Sequence, residues 1–347
     1  MRAAIVGGGL AGAALGWRLA QRGASVTVFV AGAGRWRDAT GASGGLVRGF
    51  DTDPDAGRLA AESLAELRGD PRLRDWAGYQ EGTSTYLLPP DADVDRARGT
   101  LRTVDALLPG SAELRPAAGL APFRGLPEGT WCVRERHAGH VSPGRLRDSL
   151  LRAVADLGGT LRCEPVLGVL PGPALRLGLG VERRYDAVVL ATGPWTPHLL
   201  DRWGLPDQGL STRQIQYTLG RTVPRGLGAF VDETSGLYGR PVGTGQMLLG
   251  LPTTRWGVGP DEVARDPALA RRVAECAGLR LGLTAWPGPG ARTVASLDCY
   301  PVGGRGGLAL RGCRPDSALY TFAGGGGGAA KTALAAGRLA ARTLCSA

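Results

Sequence analysis

An α/β fold is predicted, in which a Rossmann-type dinucleotide-binding domain is interrupted by a second, mostly antiparallel strand-rich domain. Three observations predict it. The chain opens with an apolar strand, residues 3–6, that runs straight into a glycine turn with G-x-G-x-x-G spacing at Gly7, Gly9 and Gly12. A helical stretch over 13–22, a stop at Gly23 and a second strand over 26–30 complete a β-turn-α-β unit, the context that gives the glycine pattern its meaning. Parallel-type elements then recur in the middle and at the end of the chain, with strand-rich insertions between them.

Each element has a local reason. In the first unit Gly7 permits the tight turn, Gly9 lets backbone approach a pyrophosphate, and Gly12 lets helix and strand pack closely. The helix N-terminus that follows attracts phosphate charge. Such a second strand usually ends in Asp or Glu to hold a ribose hydroxyl; here that place is Val30. Residues 55–68 have helical periodicity through Leu59, Ser63, Leu64 and Leu67. Residues 83–88 read as a strand ended by Pro89-Pro90, and 94–108 as a helix. Ser142 is the cap and Pro143 the first turn of a helix stopped at Gly158-Gly159. A glycine- and proline-rich hairpin or meander follows. The buried strand 185–190 ends at Ala191-Thr192-Gly193. Short strands fill 212–300, with one helix near 267–277. The last strand, 319–322, meets the glycine loop 324–328, and a helix over 329–344 ends the sequence. This layout assigns residues 1–80, 137–211 and 300–347 to the dinucleotide domain, and 81–136 and 212–299 to a substrate domain. No internal repeat is evident.

The bulk composition narrows the function. The 347 residues provide ample core for one large or two ordinary domains. No run of eighteen apolar residues exists, so no membrane span is expected. The first strand begins at residue 3 without a charged-then-apolar leader, which predicts a cytoplasmic protein. The six cysteines include no C-x-x-C pair, so neither a zinc site nor a disulfide frame is indicated. The net charge of +10 is dispersed rather than clustered, without a nucleic-acid motif. That favours a solvated basic surface and leaves open an acidic partner, such as a carrier protein or an anionic substrate. The basic residues are 40 arginines and one lysine, Lys331. A lysine that persists in so arginine-rich a chain marks a place where a compact point charge is wanted. The histidines are few (137, 140 and 198), and no Ser-His-Asp set can be assembled from them.

Several segments, in order, resemble the FAD-dependent amine oxidoreductases of the D-amino acid oxidase, glycine oxidase and sarcosine oxidase superfamily. They are the N-terminal glycine turn; the small-residue loop 40–48; the stretch Arg136-His137-Ala138-Gly139-His140-Val141-Ser142-Pro143; Val189-Leu190-Ala191-Thr192-Gly193-Pro194-Trp195; Arg213-Gln214; and the C-terminal glycine loop with Lys331. The resemblance covers nearly the whole chain and implies a GR2-like FAD domain. It implies that Gly7, Gly9, Leu10, Ala11 and Gly12 cradle the FAD pyrophosphate. It places Ala42, Ser43, Gly45 and Leu46, followed by Arg48, beside the isoalloxazine. It adds Val166, Ala191, Thr192, Gly193 and Trp195 to the cofactor contacts. Gly324, Gly325, Gly327 and Gly328 would supply backbone donors, and Lys331 a positive charge near N1 and O2 of the reduced ring. The implied activity is oxidation of a C–N bond in an amine or amino acid, by hydride transfer to flavin N5.

The departures concern the substrate. Where many relatives carry an Arg that clamps a carboxylate, the matching stretch is Ser296-Leu297-Asp298-Cys299, with Asp298 in its place. Facing the site, Asp298 favours an ammonium or polar group. Tyr238 and Arg240 are the candidates to replace the lost carboxylate contacts. Sarcosine-oxidase-like enzymes attach the flavin to a cysteine in a similar place, which makes Cys299 either a covalent FAD tether or a small buried hydrophobe. The same subgroup uses a lysine near the flavin to help oxygen react, and the comparable strand 246–250 has none. Oxygen is the first acceptor considered, and the missing lysine keeps open the alternative of a dehydrogenase acting on a natural-product or carrier-tethered amine. A flavin monooxygenase is disfavoured because its usual G-D-A segment is missing where the 324–331 loop stands. A Rossmann-type binding protein without catalysis is the reading from another class, supported by Val30.

Overall fold

The computed structural model of the protein describes residues 1–30, 38–243, 245–303, 307–315 and 317–346. A six-stranded sheet is built in the order Ala309–Gly312, Leu319–Ala323, Ala187–Leu190, Arg2–Val6, Ser25–Phe29, Thr160–Arg162. Its pairs are parallel except at the edge strand Ala309–Gly312. Two-residue alternation decides which side chains face which layer. Ala3 and Ile5 pack with the helices Leu10–Gln21, Pro143–Asp156 and Ala329–Ser346. Ala4 and Val6 face the opposite way, against Leu175 and Leu177 of a three-stranded antiparallel meander and Leu200 of the helix Thr196–Arg202. The expected α/β class is the one observed. Ser142 accepts from the Arg145 N–H, with Pro143 in the first turn, as the sequence indicates.

The remaining strands form a second sheet: Arg292–Pro301, Leu210–Arg221, Gln246–Gly250, Tyr238–Val242, Ala229–Asp232, Gln80–Leu88, Trp131–His140 and Leu46–Val47, with Ala112–Pro116 also paired to Trp131–His140. All these pairs are antiparallel except that of Ala229–Asp232 with Gln80–Leu88. Phe230, Met247 and Leu249 bury one face beneath Leu269, Val273 and Ala277 of the helix Pro267–Leu281. The other face turns toward the first sheet. The long pairing of Leu210–Arg221 with Arg292–Pro301 sets Arg213 opposite Asp298.

Two elements differ from the sequence reading. A helix at Pro71–Ala77 was not anticipated; Asp70 ends the helix Pro54–Gly69 and also caps the next one, so the periodicity breaks over one residue. Leu46–Val47, at the end of the small-residue loop, joins the second sheet through His140 and Gly139 instead of staying with the first. The loop thereby crosses between the sheets. Among the described residues no helix is long and apolar enough to cross a membrane, and no group of three or more His, Cys, Asp or Glu stands where it could hold a metal ion.

The N-terminal turn shows what glycine permits. Gly7 has φ +117°, and a Cβ on Gly12 would lie 1.9 Å from the Gly7 carbonyl oxygen. Backbone cannot yield there as a side-chain tip can. Gly12→Ala is expected to destabilise the fold by about 1–3 kcal/mol, the range for overpacking. A thermal melt followed by circular dichroism checks it; an unchanged midpoint would show that the turn relaxes freely.

Candidate active site

A single cavity of about 1760 Å³ runs along the C-terminal ends of the parallel strands and on beneath the second sheet. At its first end lie Gly7, Gly9, Leu10 and Ala11, with Val30 beside them. Thr40 accepts from the Leu10 N–H at 3.0 Å, tying the small-residue loop to the helix start. Ser43, Gly45 and Leu46 line the cavity from that loop. Across from them stand Val166, Ala191, Thr192, Gly193 and Trp195. Gly12 and Ala42 do not reach the cavity; Gly12 faces the turn's own carbonyl, and Ala42 is buried in the short helix Ala39–Ala42. Asp38 and Arg147, paired at 2.7 Å, line this end, although the sequence reading did not include them.

The middle of the cavity is electrostatically the most constrained. The turn 326–328 leads into the helix Ala329–Ser346, whose third residue is Lys331. Its ammonium is buried and ion-paired with Asp51, 280 positions earlier. Arg48 also pairs with Asp51, at 3.5 Å, and its guanidinium lies over the Tyr86 ring. Beneath them the fully buried carboxyl of Glu135 accepts from the Gly49 and Phe50 N–H groups at 2.7 and 3.1 Å. Burial pushes the Asp51 carboxyl up, but Lys331 and Arg48 outweigh burial and bring it down to about 2. Burial, reinforced by Arg48, lowers Lys331, with Asp51 and Glu135 opposing. Burial raises Glu135 against the pull of its two N–H donors. Asp51 and Glu135 were missed because acids carry no motif of their own here; the signal available was the buried lysine that required a partner.

At the far end the strands of the second sheet bring together Tyr238, Arg240 and Asp298, all lining the cavity. The Tyr238 hydroxyl donates to the Gln216 carbonyl at 3.2 Å. Arg240 donates through Nε to the Gly44 carbonyl and through Nη1 to Pro241, which ties the second sheet to the small-residue loop. Tyr300, absent from the sequence candidates, stands on the same strand face as Asp298, and its hydroxyl accepts from the Gly327 N–H at 3.1 Å. The ring rests on Gly326, where any Cβ would come within 2.5 Å of it. Gly326 and Gly327 line the cavity, whereas Gly324, Gly325 and Gly328 do not. Cys299 is likewise outside it. Strand alternation turns its thiol away from Asp298 and Tyr300, into a cluster with Leu210 and Ala323, and burial pushes it up to about 11. Of the neighbours Asp298, Cys299 and Tyr300, the structure thus brings Asp298 and Tyr300 to the cavity and not Cys299. His140 also lies off the cavity; burial, with Arg240 adding to it, lowers its imidazole to about 4. His137 bonds to Glu81 at 2.8 Å.

The buried pair at the centre yields a stability prediction. A carboxyl lowered by folding stabilises the fold above its unfolded pKa, and that contribution is lost as pH falls toward about 2. Asp51→Asn leaves Lys331 buried without its counter-charge and is expected to cost about 3–5 kcal/mol. Urea unfolding at neutral pH checks this. The variant should also lose part of the decline in stability between pH 4 and 2; an unchanged acid limb would place the dependence elsewhere.

The cavity fits a flavin dinucleotide. Its volume exceeds the roughly 300–1,000 Å³ of pockets for single small ligands. A Cβ on Gly9 would meet only the Thr40 hydroxyl, at 3.5 Å, so the turn leaves open space where a pyrophosphate needs backbone contact. The comparisons agree. No curated protein matches the sequence. Solved structures do: L-proline dehydrogenase from P. horikoshii is 17% identical with a TM-score of 0.80, covering 99% of this chain and 93% of that one. Glycine oxidase from Geobacillus kaustophilus is 21% identical with a TM-score of 0.77, covering 99% and 95%. NikD, described as an unusual amino acid oxidase essential for nikkomycin biosynthesis, is 22% identical with a TM-score of 0.74, covering 99% and 93%. At such identities these structures establish the fold. The family itself is shown by the model described as FAD dependent oxidoreductase (DAO), which matches residues 2–343. The chain belongs to that family and is an oxidoreductase whose cofactor is FAD.

Proposed function

We propose that this enzyme oxidises the C–N bond of a small amine or amino acid to an imine. The observation that carries this reading is the continuity of the cavity: one space joins the glycine turn, Lys331 and the polar floor of Tyr238, Arg240 and Asp298. A cofactor seated at the turn and a substrate seated on that floor would meet at its centre. The proline, glycine and amino-acid enzymes that share the fold support a substrate of this class.

When bound, FAD supplies the hydride acceptor. Gly7, Gly9, Leu10 and Ala11 would hold its pyrophosphate, and Ser43, Gly45 and Leu46 its ring. Lys331, its ammonium held in position by Asp51, would supply a compact positive charge that favours reduction of the bound flavin. Arg240, through its bond to the Gly44 carbonyl, fixes the distance between the substrate floor and the flavin loop, which is the positioning that hydride transfer demands. Oxygen is the acceptor we propose, giving hydrogen peroxide. A dehydrogenase is the second reading, favoured by the strand Gln246–Gly250, which offers no lysine to that side of the cavity.

The purified protein is expected to show a flavin spectrum. Anaerobic addition of sarcosine, proline, glycine or simple secondary amines in turn should bleach the oxidised band with at least one of them, and air should restore it in an oxidase. A yellow protein bleached by 2-hydroxy acids and by no amine would overturn the assignment. Acid precipitation should leave the flavin in the supernatant, because the Cys299 thiol faces away from the cavity; a yellow pellet would contradict that placement.

A further inference from the structure

We infer that Asp298 is an ammonium-recognition group, so that the enzyme selects a cationic amine held by its nitrogen and not by a carboxylate. The inference rests on the functional reading above and names the substrate class of the same site. Asp298 is 7% exposed, lines the cavity, and has no hydrogen-bond or ion-pair partner among the described residues. A carboxyl so buried without a partner carries a desolvation cost that a bound cation would offset. Its walls suit such a ligand. Tyr300 lies two residues along the same strand face, Tyr217 stands on the adjacent strand Leu210–Arg221, and Tyr238 on the strand two beyond it. Aromatic rings around an anion are the usual surroundings of a recognised alkylammonium.

The cations that could clamp a substrate carboxylate are engaged with the protein. Lys331 and Arg48 both pair with Asp51. Arg213 donates through Nε and Nη2 to the Thr253 carbonyl, at 2.9 and 2.6 Å, and stacks against Trp256. Arg240 is bonded to Gly44 and Pro241. At the end of the cavity that holds Tyr238, Arg240 and Asp298, the charge without a partner among the described residues is therefore the negative one.

The groups facing Asp298 fix the sign of its pH dependence. They are Arg213 opposite it and Tyr217 further along the same paired strand, Tyr238 on the strand two beyond that one, Tyr300 on its own strand, and the backbone of Gly327. Burial raises all three tyrosines, which stay neutral near pH 7. Burial also raises the Asp298 carboxyl to about 7, so a cation bound there is held above that pH and released below it.

The test is isothermal calorimetry on the protein as purified, with benzyltrimethylammonium and benzoate as a matched cation and anion, at pH 8 and pH 6. The cation is expected to bind more tightly than benzoate at pH 8 and to weaken severalfold at pH 6. In Asp298→Asn its affinity should fall at least about ten-fold, with the pH dependence gone. Preference for benzoate, or no measurable cation binding, overturns the inference. The wild-type pH comparison decides the matter even if the variant does not fold. The visible spectrum of the same sample reports FAD separately: a colourless protein that FAD cannot reconstitute defeats the functional reading, while the calorimetry still judges Asp298.

Discussion

The burial of Lys331 constrains the rest of this molecule. An ammonium taken out of water is tolerated in a fold only with a counter-charge in contact, and removing that partner is costly by several kcal/mol. Asp51 supplies it from the other end of the sequence. The ion pair therefore fastens the last helix of the first sheet to the segment that follows the small-residue loop. That loop in turn reaches the second sheet through Leu46–Val47 and through the bond of Arg240 to Gly44. The walls of the cavity are held in register by a charge that sits at its centre.

This arrangement divides the cavity electrostatically. At and beneath the centre, Arg48 and Lys331 pair with Asp51, and the buried Glu135 carboxyl is held near them by backbone N–H donors from Gly49 and Phe50. Such a set offers an incoming ligand a preorganised field without requiring the protein to rearrange, which is how fixed charges stabilise developing ones. At the far end, the carboxyl of Asp298 is held near Tyr238 and Tyr300 without a hydrogen-bond or ion-pair partner among the described residues. A folded protein leaves a buried charge incomplete where something else completes it, and at that end the ligand is the remaining candidate.

The sequence made legible whatever depends on local spacing. The turn at Gly7, Gly9 and Gly12, the Ser142-Pro143 helix start and the strand before Ala191-Thr192-Gly193 each follow from short-range rules, and each stands where expected. The lone lysine was conspicuous against 40 arginines, and it does occupy the cavity. What the sequence hid was partnership. Asp51 is one of many acids in its stretch, and nothing short-range connects it with a residue 280 positions away. Tyr300 escaped notice for a similar reason, since its place depends on a hydrogen bond from Gly327 in a distant turn.

The case of Cys299 shows how little separates two chemistries. In an extended strand, successive side chains point to opposite faces, so the phase of a single residue decides what the cavity receives. The ten-residue pairing with Leu210–Arg221 leaves the phase of Arg292–Pro301 no freedom: a slip by one would carry Leu297 and Cys299 into the cavity and drive Asp298 and Tyr300 into the apolar cluster of Leu210 and Ala323. Burying an acid and a phenol there without partners would cost far more than burying a thiol. The same register that turns the thiol out of the cavity thus presents the carboxyl to it. A cysteine in a similar stretch of sequence does not carry a tether with it unless the strand also turns it inward.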